Sequence, residues 1–206
     1  MTEALFGFLG VIVGSILPWV KDSLTARKER NRNAQYLAIR VACTLNKYVN
    51  DCAQAVSDDG TCMGQPANAD GTHSPQKKTP TSPLYPEDVD WKSIDSSLMF
   101  SLLSLPNEAE SADRSIDAVS EHADPPDYEE FFEERRYQYA CLGLKALDLE
   151  KRIRIKYGIP LELITQWNPY DYFMNGKIAV ETSRANRNRA SEELSLQISF
   201  DGGSEA

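Results

Sequence analysis

Apolar residues recur every three or four positions along most of the chain, a spacing typical of amphipathic α-helices. The clearest stripe runs from residue 128 to residue 153, and Arg135 is the only one of its eight positions that is not apolar. Two further stripes occupy residues 37–55 and residues 94–123. None of the periodic segments has a partner strand, so the pattern predicts an all-α protein with a bundle of about four long helices.

Several helix ends are also marked in the sequence. Gly158, followed by Pro160, predicts the end of the helix that contains the clearest stripe. Asn168 before a proline predicts the start of the last helix, and residues 124–127 predict a break between helices. Pro106 leaves two alternatives open, namely two helices joined at a kink or one broken helix.

The N-terminal segment lacks the helical stripe and is apolar on every side. Residues 4–20 carry no charge, and only Ser15 among them is polar. A run of this length is just long enough to cross a bilayer as a helix. Basic residues follow the segment from Lys21 onward and only Glu3 precedes it, so a cleaved secretory signal is disfavoured. The positive-inside rule predicts a single-pass anchor with the N-terminus outside and the rest in the cytoplasm. An interfacial or buried core helix is the alternative.

Three glycines fall close to one stripe of this apolar segment. Gly7, Gly10 and Gly14 include a GxxxG pattern, which lets two helix backbones approach closely in a membrane. The pattern predicts self-association through the span, although small residues are also common in spans that do not pair.

The domain organisation follows from these elements. We expect a transmembrane anchor at 1–22, a stalk and first bundle helix at 23–57, and a Pro/Gly-rich excursion at 58–90. The rest of the helical bundle follows at 91–193, and a flexible tail at 194–206.

Composition and charge narrow the class of protein. Hydrophobic residues make up 41% and charged residues 26% of the chain, which excludes wholesale disorder and a multi-span transporter. The net charge is -9, with an acidic excess in residues 51–140 and a basic excess in residues 1–50. A nucleic-acid partner is therefore not expected, whereas the basic N-terminal part suits the vicinity of a bilayer.

Few residues suggest chemistry. The two histidines, His73 and His122, lie in the excursion and at a helix end, and the four cysteines form no CxxC pair. Four glutamates between residues 129 and 134 lack the Glu-x-x-His partners of a di-iron bundle, so we interpret them as helix-start charges and i,i+4 partners. We therefore expect no catalytic residues, no metal site and no cofactor.

Arg135 is the exception on its apolar stripe. If it lies between helices it needs a carboxylate partner, because an unpaired buried charge is costly. Antiparallel packing through the turn at residues 124–126 would bring Asp117 to the same height, so the sequence predicts an Arg135–Asp117 ion pair.

Three stretches carry a resemblance to known proteins: SLLSLPN at 101–107, PPDYEEFFEERRYQY at 125–139, and the junction from YGIP to WNPYDY at 157–172. They are similar to a family of small bacterial single-anchor helical membrane proteins. The resemblance implies the architecture and brings no activity with it.

Together these features predict a membrane-tethered, non-enzymatic interaction or regulatory protein with a cytoplasmic helical docking domain. Its expected partners are the lipid bilayer, a second copy through the span, and a cytoplasmic protein. The alternative is a membrane effector that oligomerises through its GxxxG span and perturbs the bilayer. An enzyme ranks third.

Overall fold

The computed structural model describes the backbone of residues 2–160 and 167–201, and side-chain surroundings for 19–160, 167–193 and 195. Within these ranges four long helices dominate: α1 (Thr2–Val56), α2 (Ser96–Ser120), α3 (Glu129–Tyr157) and α4 (Pro169–Asp201). A two-residue hairpin pairs β1 (Thr61–Cys62) with β2 (Gln65–Pro66), and a 3-10 turn spans Trp91–Ser93. The prediction of an all-α bundle is confirmed.

Helix α3 is the central element, since α1, α2 and α4 all pack against it. Helix α1 is antiparallel to α3: Gln35 contacts the carbonyl of Tyr157 at one end, and the residues after α1 reach Arg135 at the other. We call the end marked by Gln35 and Tyr157 the proximal end, because α1 enters the bundle there, and the end marked by Arg135 the distal end. Helix α2 also runs antiparallel to α3.

The predicted stripes form the core. The α1 stripe from Leu37 to Ala55 is buried, and so is the apolar stripe of α2 that runs from Leu98 to Ile116. On α3 the buried stripe runs from Phe132 to Ile153 and includes Arg135. Each fully buried Leu, Ile or Val contributes about 1.5–3 kcal/mol, so these three faces supply the main driving force for folding.

The predicted helix ends are confirmed where backbone geometry tests them. Gly158 adopts a left-handed conformation with φ of 65° and caps α3 by donating its N–H to the carbonyl of Arg154. Asn168 precedes α4 and its side-chain oxygen accepts the N–H of Tyr170 at 3.1 Å.

Helix α2 continues through Pro106 as a single uninterrupted helix, so neither the two-helix alternative nor the broken helix predicted from the sequence is observed. Leu102 and Leu105 before the proline and Ala109 after it are buried in the same core. The free energy gained by burying these apolar side chains on both sides of the proline outweighs the cost of the backbone hydrogen bond that the proline removes.

Helix α1 is continuous from Thr2 to Val56, so the predicted anchor, stalk and first bundle helix form one helix. Side chains are exposed from Trp19 to Asn33, and Ala34 is the first buried one among the side chains that the structure describes. We call residues 21–33 the stalk. Across the residues that the structure describes, no helix combines the length and apolar character needed to cross a bilayer. Gly7, Gly10 and Gly14 lie outside the residues whose side chains are described.

The predicted flexible tail at 194–206 is wrong for its first part, because α4 extends to Asp201. No glycine or proline occurs between Gly176 and Gly202, so nothing in the sequence ends the helix at residue 193. Residues 202–206 lie outside the described part of the chain.

Helix α4 docks on α3 by placing the ring of Phe173 over Gly143, where a Cβ atom would overlap the ring. We expect Gly143→Ala to destabilise the protein in denaturant unfolding, because overpacking costs about 1–3 kcal/mol while helix propensity returns about 1 kcal/mol. The same substitution combined with Phe173→Leu should cost less than the sum of the two single changes. A stabilising Gly143→Ala would show that α4 does not pack closely on α3.

Candidate docking surface

Residues 58–90, predicted as an open excursion, are attached to the bundle, and we call them the fastened segment. The main attachment is at the distal end. Arg135 Nη1 lies 2.8 Å from Asp58 Oδ2, and both side chains are about 2% exposed or less. Arg135 Nη2 donates to the carbonyl of Lys77 at 2.7 Å. One guanidinium therefore binds the start of the segment and its middle together.

Asp58 completes this arrangement, which we call the clasp. Its Oδ2 also accepts the N–H groups of Gln76 and Lys77 at 2.9 and 2.7 Å, and its Oδ1 accepts the N–H of Gly60 at 3.2 Å. Burial alone would raise the pKa of Asp58, but these N–H groups and the charge of Arg135 hold it below its usual range. The carboxylate is therefore ionised at neutral pH.

The sequence placed Arg135 correctly between helices but gave it the wrong partner. Asp117 is exposed on α2, whereas the guanidinium faces the end of α1 and the fastened segment. Turn geometry relates Arg135 only to the helix that precedes α3 in sequence, whereas its partner follows α1. The available signal was Asp58 itself, a carboxylate placed directly after the last apolar residues of the α1 stripe.

Packing near the clasp holds the segment in place. Gly60, with φ of 78°, lies under the ring of Phe132 at a point where a Cβ atom would overlap that ring. The ring of His73 meets Phe132 edge-on with centroids 6.4 Å apart, and the backbone N–H of His73 donates to the carbonyl of Pro126 at 2.8 Å. His73 is therefore part of the packing of the segment. Nearer the proximal end, Arg40 pairs with Asp88 at 2.7 Å.

The segment presents apolar side chains to solvent at two points. Met63 and Gly64 form the turn of the β1–β2 hairpin, both with positive φ, and Met63 is 100% exposed. Leu84 is 81% exposed. A positive φ is unfavourable for methionine, and an exposed methionine in a fixed turn is a side chain suited to contact a partner.

The described bundle buries two tyrosines and a cysteine, namely Tyr48, Tyr139 and Cys52. Tyr139 donates its hydroxyl to Asp113 at 2.7 Å. Burial raises the pKa of Tyr48, Tyr139 and Cys52, so the phenols and this thiol stay protonated. All four cysteines are free thiols, and the described residues contain no group of His, Cys, Asp and Glu that could hold a metal ion.

The glutamates at the start of α3 have a different role from the one predicted. Glu129 and Glu130 do lie in the first turn, but Glu133 and Glu134 pair with Arg187 and Arg184 of α4, across the helix interface. Burial would raise the pKa of Glu133, and the ion pair with Arg187 holds it below its usual range. These pairs fix α4 on α3.

We expect the loss of unfolding free energy to depend on which partner of the clasp is replaced. Asp58→Ala should lower the free energy of unfolding by about 3–5 kcal/mol, because it strands a buried arginine that cannot lose its proton. Arg135→Met should cost less, since Asp58 keeps its three backbone N–H donors and can take up a proton. Denaturant unfolding at pH 7 measures both.

The control is Asp88→Ala, which removes an exposed Asp–Arg pair from the same segment and should cost about 1 kcal/mol or less. Because the folded pKa of Asp58 is depressed, its contribution is present above about pH 4 and is lost as the pH falls through the folded pKa. The difference between wild type and Asp58→Asn should therefore shrink below pH 4. A constant difference would contradict the ionised clasp.

Comparison with known proteins adds no relative. The chain matches no family model, no curated protein and no solved structure. The resemblance to small bacterial single-anchor proteins therefore stays a prediction.

Proposed function

We propose that this chain is a membrane-tethered, non-enzymatic interaction or regulatory protein. In this proposal residues 1–22 anchor α1 in a bilayer with the N-terminus outside, the stalk spaces the bundle from the membrane, and the bundle with its fastened segment binds a cytoplasmic protein. The observation that carries the proposal is the continuity of α1, which starts at Thr2 while the bundle begins only at Ala34.

The stalk supports the tether. The exposed part of α1 from Trp19 to Asn33 spans about 22 Å at 1.5 Å per residue. None of the side chains in this part is buried in the bundle. An amphipathic bundle helix needs no such extension, whereas a tether does. The uncharged run at residues 4–20 precedes the stalk on the same continuous helix.

The docking role is supported by the fastened segment. A Pro/Gly-rich stretch held by a buried ion pair presents Met63 and Leu84 in a fixed arrangement, so little conformational entropy is lost when a partner binds. The non-enzymatic role is supported by the protonated state of the buried Cys52 and Tyr residues, which makes them poor nucleophiles.

The anchor is tested by extraction of the full-length chain from membranes with alkaline carbonate. The wild type should stay with the membrane until detergent is added. Val11→Asp with Val13→Asp should release it, because each aspartate near the centre of a span costs about 2.5–3.5 kcal/mol.

The matched control is Ser23→Asp with Thr25→Asp, which adds the same charge to the exposed stalk and should leave the chain in the membrane fraction. Extraction of the wild-type chain by carbonate alone would overturn the anchor.

The docking surface is tested at the hairpin tip. Met63→Asn removes the exposed thioether and keeps a residue that tolerates positive φ, so the melting temperature should not fall. Recovery of the cytoplasmic partner by cross-linking to the full-length chain should drop several-fold.

Phe100→Ser serves as the control, because Phe100 is also a largely exposed apolar residue, 73% against 100% for Met63, and lies on the outer face of α2. It should leave partner recovery unchanged. If Phe100→Ser abolishes recovery and Met63→Asn does not, the docking surface lies on α2 and the assignment to the fastened segment is wrong.

A further inference from the structure

The stalk carries several basic residues that are close together in sequence and form no ion pairs with other described residues. Its basic residues are all exposed and none makes an ion pair with another described residue; they are Lys21, Arg27, Lys28, Arg30 and Arg32. Its two acidic residues are Asp22 and Glu29. The stalk thus has a positive balance within a chain whose net charge is -9.

The charges are sorted on the helix surface. At about 100° per residue, Asp22 and Glu29 lie within about 20° of each other on one side. Leu24, 63% exposed, lies roughly opposite to them, within about 60° of Val20, Arg27 and Lys28. The stalk therefore has one face that combines exposed apolar residues with unpaired cations.

We propose that this face binds the headgroups of anionic phospholipids. The proposal rests on the tether proposed above and names the lipid class that the tether recognises. Aliphatic stems of lysine and arginine lie along the boundary between headgroups and acyl chains while their charged ends reach phosphate and carboxylate oxygens. Val20 and Leu24 on the same face add apolar contact at that boundary.

Distances along the helix select the residues that carry the binding. Measured from Val20, Arg27 and Lys28 lie about 11 and 12 Å further along, at 1.5 Å per residue. A headgroup layer of about 5–8 Å and a Debye length of about 8 Å at physiological salt together reach roughly 15 Å. Lys21, Arg27 and Lys28 fall inside this range, and Arg32 at about 18 Å falls outside it.

The overall charge argues against nucleic acid as the polyanion. The bundle that follows the stalk carries the acidic excess of the chain. A long polyanion bound along the stalk would therefore be repelled by the carboxylates of the bundle. A lipid surface meets only the end of the helix that is continuous with the uncharged run at residues 4–20.

The test is amide hydrogen exchange of the full-length chain in vesicles of phosphatidylcholine alone and of phosphatidylcholine with one-third phosphatidylserine. Exchange across residues 21–33 should be roughly 30-fold slower in the anionic vesicles, as expected for two or three well-placed cations. Sodium chloride at 0.5 M should abolish the difference, because the Debye length then falls to about 4 Å. Peptides from α2 should not change.

Arg27→Gln with Lys28→Gln should reduce the roughly 30-fold difference in exchange rate between the neutral and the anionic vesicles to about fivefold or less. Lys78→Gln with Arg189→Gln removes two exposed cations elsewhere and should leave the difference as in the wild type. Equal exchange in the two kinds of vesicle, or equal effects of the two double variants, would overturn the proposal.

Flotation of the same samples separates this proposal from the tether. A chain that floats with both vesicles but shows no exchange difference is anchored and does not recognise anionic lipid. A chain that floats only with phosphatidylserine vesicles, in a salt-sensitive and Arg27/Lys28-dependent manner, supports the lipid proposal and overturns the anchor.

Discussion

The buried ion pair between Arg135 and Asp58 is the contact on which the arrangement of the distal end depends. Burial of two charges is expensive, and the cost is offset only when the remaining donors and acceptors are satisfied. Here three backbone N–H groups complete the carboxylate and the Lys77 carbonyl binds the second guanidinium nitrogen. The pair thereby joins the end of α1, the start of α3 and two distant points of a Pro/Gly-rich segment. A stretch whose composition favours disorder becomes a defined surface.

The position of the clasp also sets the distance between the two proposed working parts. From Ala34 to Val56, α1 follows the bundle for about 33 Å, so the clasp lies at the end far from the stalk. With a stalk of about 20 Å, the hairpin tip stands roughly 50 Å from the residues proposed to meet lipid. The proposed lipid contact and the proposed protein contact are therefore spatially separate, and one continuous helix connects them.

Helix α4 is held differently from the other helices. Among its described residues the buried apolar side chains are Phe173 and Val180, and the Glu133–Arg187 and Glu134–Arg184 pairs add polar contacts with α3. Such a polar interface is more sensitive to salt than the α1–α3 seam. The close approach at Gly143 supplies the specificity, because only a residue without a side chain admits the Phe173 ring.

The sequence by itself determined the helices, their apolar faces and most of their ends, because a 3.6-residue period, a glycine C-cap and an N-cap asparagine act locally. It also located Arg135 on the seam, since a charge within an apolar stripe is visible from spacing alone. Only the tertiary structure decided that Asp58, 77 residues earlier, is its partner, and that Glu133 and Glu134 bind α4. Likewise, the order of residues 58–90 depends on a hydrogen-bond network that forms when α1 and α3 pack side by side. Local periodicity carries no information about which distant carboxylate reaches a given cation, so these contacts are fixed by packing alone.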